Sequence, residues 1–217
     1  MRLKILYKEN KAFFLGYILL MVVAIFILIA YSKAEGFVLM NPLHHDYLNL
    51  IFIPLTYLGD GLFVIAFALV LFFLKRKFLS LMIISSYLLS GIIAQVLKYF
   101  ITEARPAFYL EKSNYPYFID GVTLHNFHSF PSGHTASAFA LAAVLSFSVM
   151  NKTHSLIFLI LAALVGYSRI YLGNHFMDDV LAGSAIGLLS SIISWMYFEK
   201  IFKKVLRIPS ENTSAQL

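Results

Sequence analysis

Long apolar segments separated by short charged or polar stretches run through almost the whole chain. Runs of about 18 or more apolar residues are long enough to cross a bilayer as a helix. The pattern predicts six membrane spans, at about residues 12–30, 61–74, 78–97, 133–150, 155–172 and 178–198. The fold class we expect is therefore all-α, a polytopic membrane bundle of six transmembrane helices with a loop and an interfacial helix on its outer face.

Two segments allow a second interpretation. Leu48, Phe52 and Leu55, with Ile51 and Leu58, fit one face of a helix, so residues 44–58 are predicted as an interfacial helix that ends before Asp60. The alternative is one long tilted span with Asp60 inside it, although a lone charge at mid-membrane is costly. The first apolar run also resembles a signal peptide, but it is longer than a usual hydrophobic region and no clear cleavage site follows.

Composition places the whole chain, residues 1–217, in one integral membrane domain. Of its residues, 60% are hydrophobic and only 13% are charged, which leaves no segment for a separate soluble module. The chain has no cysteine, which excludes disulfides, iron–sulfur clusters and thiolate zinc sites. The net charge of +6 does not indicate nucleic acid, because the charges punctuate the spans and form no basic face.

The distribution of charge predicts the topology. With six spans, both termini lie on one side of the membrane, and that side collects twelve of the seventeen Lys and Arg residues. These are Arg2, Lys4, Lys8, Lys11, Lys75, Arg76, Lys77, Lys152, Lys200, Lys203, Lys204 and Arg207. The other side holds eight of the eleven acids. The positive-inside rule then makes the tails, residues 1–11 and 200–217, cytoplasmic, and we expect a bacterial inner membrane protein.

Small residues are frequent in the fourth and sixth spans. The sixth contains Gly183, Ser184 and Gly187, so that residues 183–187 match the small-xxx-small pattern of closely packed membrane helices. We interpret these residues as packing residues without a direct catalytic role. Their packing would hold His134 and His175 in a fixed relation.

The stretch from Ser168 to Asp179 holds a fixed cation, a titratable base and a carboxylate. Positions four apart share a helical face, so Asp179 can reach one ring nitrogen of His175 and leave the other free. A histidine held in this way is a nucleophile or a base. Arg169 beside it suits an oxyanion.

Two more clusters are expected on the same outer face. Lys98 and Arg105 follow the third span, and residues 130–134 (Phe-Pro-Ser-Gly-His) open the fourth. Ser132 and Gly133 supply free N–H groups at a helix N-terminus, which suit phosphate oxygens. Three cations, a helix N-terminus and two histidines describe an anion site in which phosphoryl transfer needs little else.

Together these motifs resemble the three-part signature of the type 2 phosphatidic acid phosphatase superfamily. The matching residues are Lys98-x6-Arg105-Pro106, Pro131-Ser132-Gly133-His134 and Ser168-Arg169-x5-His175-x3-Asp179, in the family's order and spacing within about residues 60–190. The superfamily includes membrane lipid phosphatases and soluble vanadium haloperoxidases. The joint occurrence of the motifs is highly specific, whereas Pro-Ser-Gly-His alone is a weak match.

The resemblance implies a role for each matched position. His175 would attack phosphorus and form a phosphohistidine, and Asp179 would orient it. His134 would protonate the leaving oxygen and then activate water. The phosphate would be bound by Lys98, Arg105, Ser132, Gly133 and Arg169. No metal and no cofactor are expected.

Other polar and aromatic residues have plainer interpretations. The four histidines His44, His45, His125 and His128 lack metal-ligand spacing and are expected on the surface or in loops. The loop aromatics, Phe108, Tyr109, Tyr115, Tyr117 and Phe118, are expected to form an interfacial belt, with a lid or a wall for a lipid chain as the alternative. Asp178 is interpreted as a solvated or helix N-terminal acid. Asp60 is either a cap or a support for the site.

The predicted function is hydrolysis of a membrane lipid (di)phosphate at the outer, periplasmic face. Undecaprenyl diphosphate is the first choice of substrate, followed by phosphatidylglycerol phosphate or phosphatidic acid and then lipid A phosphates. The predicted partners are the lipid phosphate and the bilayer, without nucleic acid. A lipid phosphotransferase, a non-catalytic anion-binding membrane protein and a vanadate-dependent peroxidase are the rival functions.

Overall fold

Helices make up most of the computed structural model, which describes residues 2–41, 45–110, 118–119, 121–149 and 152–205. In chain order these helices are α1 (Arg2–Glu9), α2 (Lys11–Ala30), α3 (Lys33–Met40), α4 (Asp46–Thr56), α5 (Gly61–Phe73), α6 (Lys77–Phe100), α7 (Pro106–Leu110), α8 (Gly133–Ser148), α9 (Lys152–Tyr171) and α10 (Met177–Val205). The described residues form no strand, so the predicted all-α class is confirmed for this part of the chain. The predictions for His44, Tyr115, Tyr117 and the end of the tail lie outside it.

Fewer of the described helices are long and apolar enough to cross a bilayer than the six that were predicted. In the described part, α2, α6, α9 and α10 are long and apolar enough to cross a bilayer, and α4 with α5 would make a fifth span if counted as one. The fourth predicted span, α8, has 16 residues and a length of about 24 Å, against a hydrocarbon core of about 30 Å. Because α6, α9 and α10 surround α8, it need not match the bilayer thickness.

Helix α8 forms the centre of the bundle. Twelve of its residues are buried, and most of them are small, which lets neighbouring helices approach closely. Phe139 and Ala143 of α8 join Phe13 of α2 and Val165 of α9 in one buried apolar cluster. The catalytic candidates at the start of α8 therefore lie at the end of a largely buried helix.

Glycines of α10 make this close packing with α8, as the sequence predicted. A Cβ added to Gly183 would lie 2.5 Å from the Ser132 backbone oxygen, and one added to Gly187 would lie 2.3 Å from that of Ala136. The two helices therefore meet backbone to backbone. This contact sets the start of α10 against the start of α8.

Replacing Gly187 with alanine should destabilise the protein by about 1–3 kcal/mol, because the new methyl group meets backbone atoms that cannot move aside. Gly91→Ala in α6 is the matched control, since a Cβ there meets nothing within 4 Å. The control should be neutral or stabilising by about 0.5–1 kcal/mol through helix propensity. Thermal melting of both variants in detergent measures the difference, and equal melting temperatures would contradict the packing argument.

The chain breaks at Asp60, where the sequence placed a boundary. Helix α4 continues into a 3₁₀ turn, Tyr57–Gly59, and the axis of α5 is then bent by 62° from that of the preceding segment. Asp60 caps α5 by accepting a hydrogen bond from the Leu62 N–H (2.8 Å). The alternative of one long span with Asp60 inside it is therefore restricted to a span that is bent at that residue.

The packing face of α4 was predicted correctly except at one position. Phe52 is buried, and its ring centroid lies 4.7 Å from that of Tyr171 and 5.2 Å from that of Tyr167 in α9. Ile51, which was assigned to the same face, is 55% exposed. The apolar stripe is narrower than predicted, because α4 packs mainly against the single helix α9.

The first apolar helix is integrated into the bundle. Phe13 of α2 is fully buried and packs edge-on against Phe147, with ring centroids 6.2 Å apart. The Tyr17 hydroxyl lies 3.2 Å from the Ser184 hydroxyl of α10. These contacts favour a membrane span for α2 over a signal peptide.

Candidate active site

A polar cavity of about 440 Å³ opens at one end of the bundle. It lies among the C-terminal ends of α6 and α9, the N-terminal end of α8, the turn before α10 and the loop around residues 121–125. Six of the eight predicted site residues line it: Lys98, Arg105, Gly133, His134, Arg169 and His175. The three motifs, distant in sequence, are thus brought to one place.

His175 and Asp179 are in contact, although not by the helical geometry predicted. Helix α10 begins at Met177, so His175 lies in the preceding turn. Asp179, in the first turn of α10, accepts a hydrogen bond from the Phe176 N–H (2.8 Å) and places the same oxygen, Oδ2, 3.3 Å from His175 Nδ1. A carboxylate that caps the start of the helix therefore also orients the imidazole.

Burial and charge keep His175 in the form that a nucleophile needs. The side chain is almost fully buried, and burial lowers its pKa well below the ordinary value, as do the nearby charges of Arg169, Arg105 and Lys98. The imidazole is therefore neutral at neutral pH. With Nδ1 directed at Asp179, the Nε2 lone pair is free to face the cavity.

Ser129 is a site residue that the sequence interpretation missed. Its hydroxyl donates a hydrogen bond to Asp179 Oδ2, and its N–H donates to the Glu103 carbonyl (3.1 Å). Ser129 lies two residues before Pro131, the start of the Pro-Ser-Gly-His motif, and only this proximity could have indicated it. Ser129 therefore holds the Asp179 carboxylate in place, and that carboxylate orients His175.

Arg169 is hydrogen-bonded to α4, a helix that carries none of the three motifs. Arg169 is only 7% exposed, and its Nη1 donates to the Thr56 hydroxyl (2.7 Å) at the end of α4. Its Nε has no hydrogen-bond partner among the described residues. A buried guanidinium with an unused donor is costly. Because Arg169 lines the cavity, an anion bound there would offset its charge.

Lys98 and Arg105 are held by backbone carbonyls of the loop before α8 and, for Arg105, of the turn before α10 as well. Lys98, which lies in the last turn of α6 and not after it, donates to the His128 carbonyl (2.6 Å). Arg105 donates to the carbonyls of Phe127 (3.1 Å) and Asn174 (3.3 Å). Burial lowers the Arg105 pKa, although the Asp179 charge opposes this effect. These carbonyls orient both cations without neutralising them.

Ser132 is placed differently from the prediction. It is fully buried and does not line the cavity. Its hydroxyl accepts from Thr135 as the N-cap of α8, and its N–H donates to the Asp179 carbonyl (3.0 Å). Ser132 therefore joins the starts of α8 and α10, and Gly133 is left as the N-terminal residue that faces the cavity.

His134 lines the cavity opposite the His175 turn. Its Nε2 lies 3.7 Å from Asp60 Oδ2, which is too long for a hydrogen bond but close enough for electrostatic attraction. Asp60 thus serves both as the cap of α5 and as a charged neighbour of His134. Of the histidines expected only on the surface or in loops, His125 lines the cavity as well.

A cluster of carboxylates lies behind the site. Glu103, Asp178 and Asp179 each place an oxygen within 4.8 Å of the others, a spacing that could hold a metal ion. The Lys33 ammonium contacts the first two of these carboxylates. That the reaction needs no metal stays a prediction.

The fold and the site define a class of membrane protein with a histidine–aspartate pair beside a cavity lined by three cations. The sequence matches the family model of the PAP2 superfamily over residues 79–203, more than half of the chain. The chain belongs to the PAP2 superfamily.

Relatives within the superfamily act on different lipids. The chain is 37% identical over 135 residues to a lipid A 4'-phosphatase of Porphyromonas gingivalis, covering 58% of this chain and 55% of the relative. It is 30% identical over 127 residues to an undecaprenyl-diphosphatase of Sulfolobus acidocaldarius, covering 58% of this chain and 59% of the relative. The chain thus spans less than two thirds of these relatives.

A solved structure matches over a larger share of the chain. The crystal structure of the first transmembrane PAP2 type phosphatidylglycerolphosphate phosphatase from Bacillus subtilis has a TM-score of 0.64 and 28% identity, covering 90% of this chain and 98% of that one. This similarity extends the family assignment from the motif region to nearly the entire bundle.

Proposed function

We propose that the chain is a membrane lipid phosphatase that acts through a phosphohistidine intermediate. The observation that carries the proposal is the cavity itself, in which a neutral, carboxylate-bound His175 faces three cations and a second histidine. Phosphoryl transfer depends mainly on positioning and charge stabilisation. The matched relatives named as lipid phosphatases support the same chemistry.

In the first step, His175 Nε2 attacks phosphorus while the bond from phosphorus to the lipid oxygen breaks. The leaving oxygen takes a proton from His134, and Asp179 stabilises the positive charge on the phosphohistidine. In the second step, His134 takes a proton from water, which attacks phosphorus and releases phosphate and free His175. Lys98, Arg105 and Arg169 balance the charge on the phosphate oxygens in both steps.

The arrangement of the helices supports the proposed topology of six spans, with both termini cytoplasmic and the site on the periplasmic face. Helix α2 ends near Lys33, which contacts Asp178 at the site end, so Lys11 lies at the other end of the bundle. The basic turn of residues 75–77 lies at the opposite end of α6 from Lys98. This polarity agrees with the positive-inside rule.

An apolar cleft beside the cavity offers a place for the lipid tail. A pocket of about 230 Å³ lies between α5, α8 and α9, lined by Phe63, Ala138 and Val165 among other apolar residues. Leu58 lines this cleft, whereas the neighbouring Tyr57 lines the polar cavity. A lipid entering sideways from the bilayer would bring its phosphate to the cations and leave its chain in an apolar environment.

Assaying phosphate release from a panel of lipid phosphates identifies the substrate. Undecaprenyl diphosphate is the first candidate, because a relative of that name matches and the proposed site faces outward on a small domain. Lipid A phosphate and phosphatidylglycerol phosphate are the alternatives, supported by the names of the other matches. We expect phosphate release from at least one of them in detergent with EDTA present. Turnover that appears only with added Zn²⁺ or Mg²⁺, or binding without phosphate release, would contradict the proposal.

A further inference from the structure

Lys33 lies outside the three motifs, yet it contacts the segments that carry them. Its ammonium forms salt bridges with the Glu103 and Asp178 carboxylates, the latter at 2.9 Å. It also lies 4.8 Å from the centroid of the Phe176 ring, within cation–π distance. One side chain thus joins the loop after α6 to the turn before α10.

Each contact of Lys33 is adjacent to a residue of the proposed reaction. Phe176 follows His175, and Asp178 precedes Asp179. Glu103 precedes Arg105 by two residues, and its carbonyl accepts the N–H of Ser129, whose hydroxyl bonds Asp179. If the Lys33 ammonium moved, the position of His175 would therefore change through two sets of contacts. One runs through Phe176 and Asp178, and the other through Glu103, Ser129 and Asp179.

Helix α3, which begins with Lys33, is fixed at both ends. At its start, the Ser32 and Glu35 side chains form a reciprocal capping box. At its end, the Met40 carbonyl accepts a hydrogen bond from the Tyr167 hydroxyl (2.8 Å), and the Asn41 side-chain amide donates to the Ile170 carbonyl (3.1 Å). The helix is thus attached to the last turns of α9, directly before the turn that carries His175.

The aromatic ring beneath Lys33 is also packed on two sides. The Phe176 ring meets Phe37 of α3 edge-on at 5.6 Å and Tyr109 of α7 at 5.4 Å between centroids. The Phe176 N–H donates to the Asp179 carboxylate. The position of this one residue therefore determines both the Asp179 carboxylate and the neighbouring imidazole.

We propose that Lys33 is a positioning residue for phosphoryl transfer, which holds the His175–Asp179 pair in register with the Arg105 segment. The inference rests on the phosphatase function proposed above. It assigns to α3, which carries none of the family motifs, the role of a brace across the α9–α10 turn.

The electrostatics of the cluster explain why a cation is needed there. Three carboxylates, Glu103, Asp178 and Asp179, lie within 4.8 Å of one another and repel one another unless a cation lies among them. Burial alone would lower the Lys33 pKa, but its bonds to Glu103 and Asp178 outweigh burial and raise it. The ammonium therefore stays charged. Without it, the carboxylates would separate and move the turn that carries His175.

The test compares steady-state kinetics of Lys33→Met and Lys33→Arg with the wild-type protein in detergent. We expect kcat of Lys33→Met to fall about 10- to 100-fold, the effect of a displacement of roughly 1 Å at the reacting atoms. KM should change less than about twofold, because loss of transition-state positioning lowers kcat without weakening ground-state binding. Arginine can bridge two carboxylates, so Lys33→Arg should recover most of the lost rate.

Lys77→Met is the matched control. Lys77 also lies over an aromatic ring, that of Phe72 at 5.5 Å, but at the other end of α6 from the site. Its kcat should equal that of the wild type. A double-mutant cycle with Asp178→Asn adds a second readout, since two residues that act through one ion pair give effects smaller than their sum.

The outcomes separate this inference from the proposed function. Wild-type kcat in Lys33→Met, with the wild type active, would overturn the brace and leave the phosphatase assignment standing. A loss that arginine does not recover, and that matches a lower melting temperature, would show general destabilisation and overturn it as well. An inactive wild-type protein would overturn both.

Discussion

The His175→Ala variant releases no phosphate above background from any lipid phosphate that the wild-type protein hydrolyses. The expected loss is on the order of 10⁴- to 10⁶-fold in kcat, the range seen when a nucleophile is removed from a group of residues that act as a unit. His134 also lines the cavity, but it lies 3.7 Å from the Asp60 carboxylate, whereas His175 Nδ1 lies 3.3 Å from the fully buried Asp179 carboxylate that orients it. Phosphate release in detergent with EDTA measures the loss.

A second histidine variant controls for nonspecific effects of removing an imidazole. His154 lies exposed in the first turn of α9, at the end of the helix far from the site. His154→Ala should keep wild-type kcat and KM. Turnover that survives His175→Ala and depends on a divalent metal would remove the phosphohistidine mechanism and direct attention to the Glu103, Asp178 and Asp179 carboxylates.

The sequence was most informative where chemistry and position coincide. Charged and titratable residues are rare in this chain, so each one near a span end indicated a function. Parity of the spans placed Lys98, His134 and Arg169 at one end of the bundle, and the structure has them around one cavity. The roles assigned to these residues stay predictions until the variants are measured.

Residues that support the site could not be predicted, because they contact it only in the folded chain. Thr56 lies 113 positions from Arg169, and Ser129 lies 50 positions from Asp179. Each is one hydroxyl among many in the sequence, and neither has a spacing that marks it. Lys33 lies 70 positions from Glu103 and belongs to none of the three motifs.

Helix ends were the weakest part of the fold prediction. The apolar pattern gave α2, α6, α9 and α10 within a few residues at most ends, because lipid-facing helices must be apolar along their whole length. It could not give the 62° bend before α5, which depends on the Asp60 cap. The apolar pattern also could not distinguish α8 from a full span. A short helix enclosed by other helices is as apolar as one that crosses the bilayer.

His134 is required twice in the proposed reaction, and the two requirements can be separated by the leaving group. A lipid alkoxide leaves poorly and needs a proton from His134 in the first step. A nitrophenolate leaves without one, so an aryl phosphate depends on His134 only when water must be activated in the second step. General acid–base catalysis of this kind contributes about 10²- to 10⁴-fold.

We therefore expect His134→Gln to lose about 10²- to 10⁴-fold in lipid phosphate turnover and to trap the intermediate with an aryl phosphate. One equivalent of nitrophenol per active chain should appear in a burst, and the phosphate should stay on the protein in an acid-labile, base-stable form typical of phosphohistidine. The His134→Gln/His175→Ala double variant should show neither burst nor label, which places the phosphate on His175. If His134→Gln lowered the turnover of aryl and lipid phosphates equally and no phosphate stayed on the protein, the acid–base role of His134 would be contradicted. The burst is thus a direct measure of whether the two histidines act in sequence on one phosphorus atom, as their positions in a single cavity of about 440 Å³ allow.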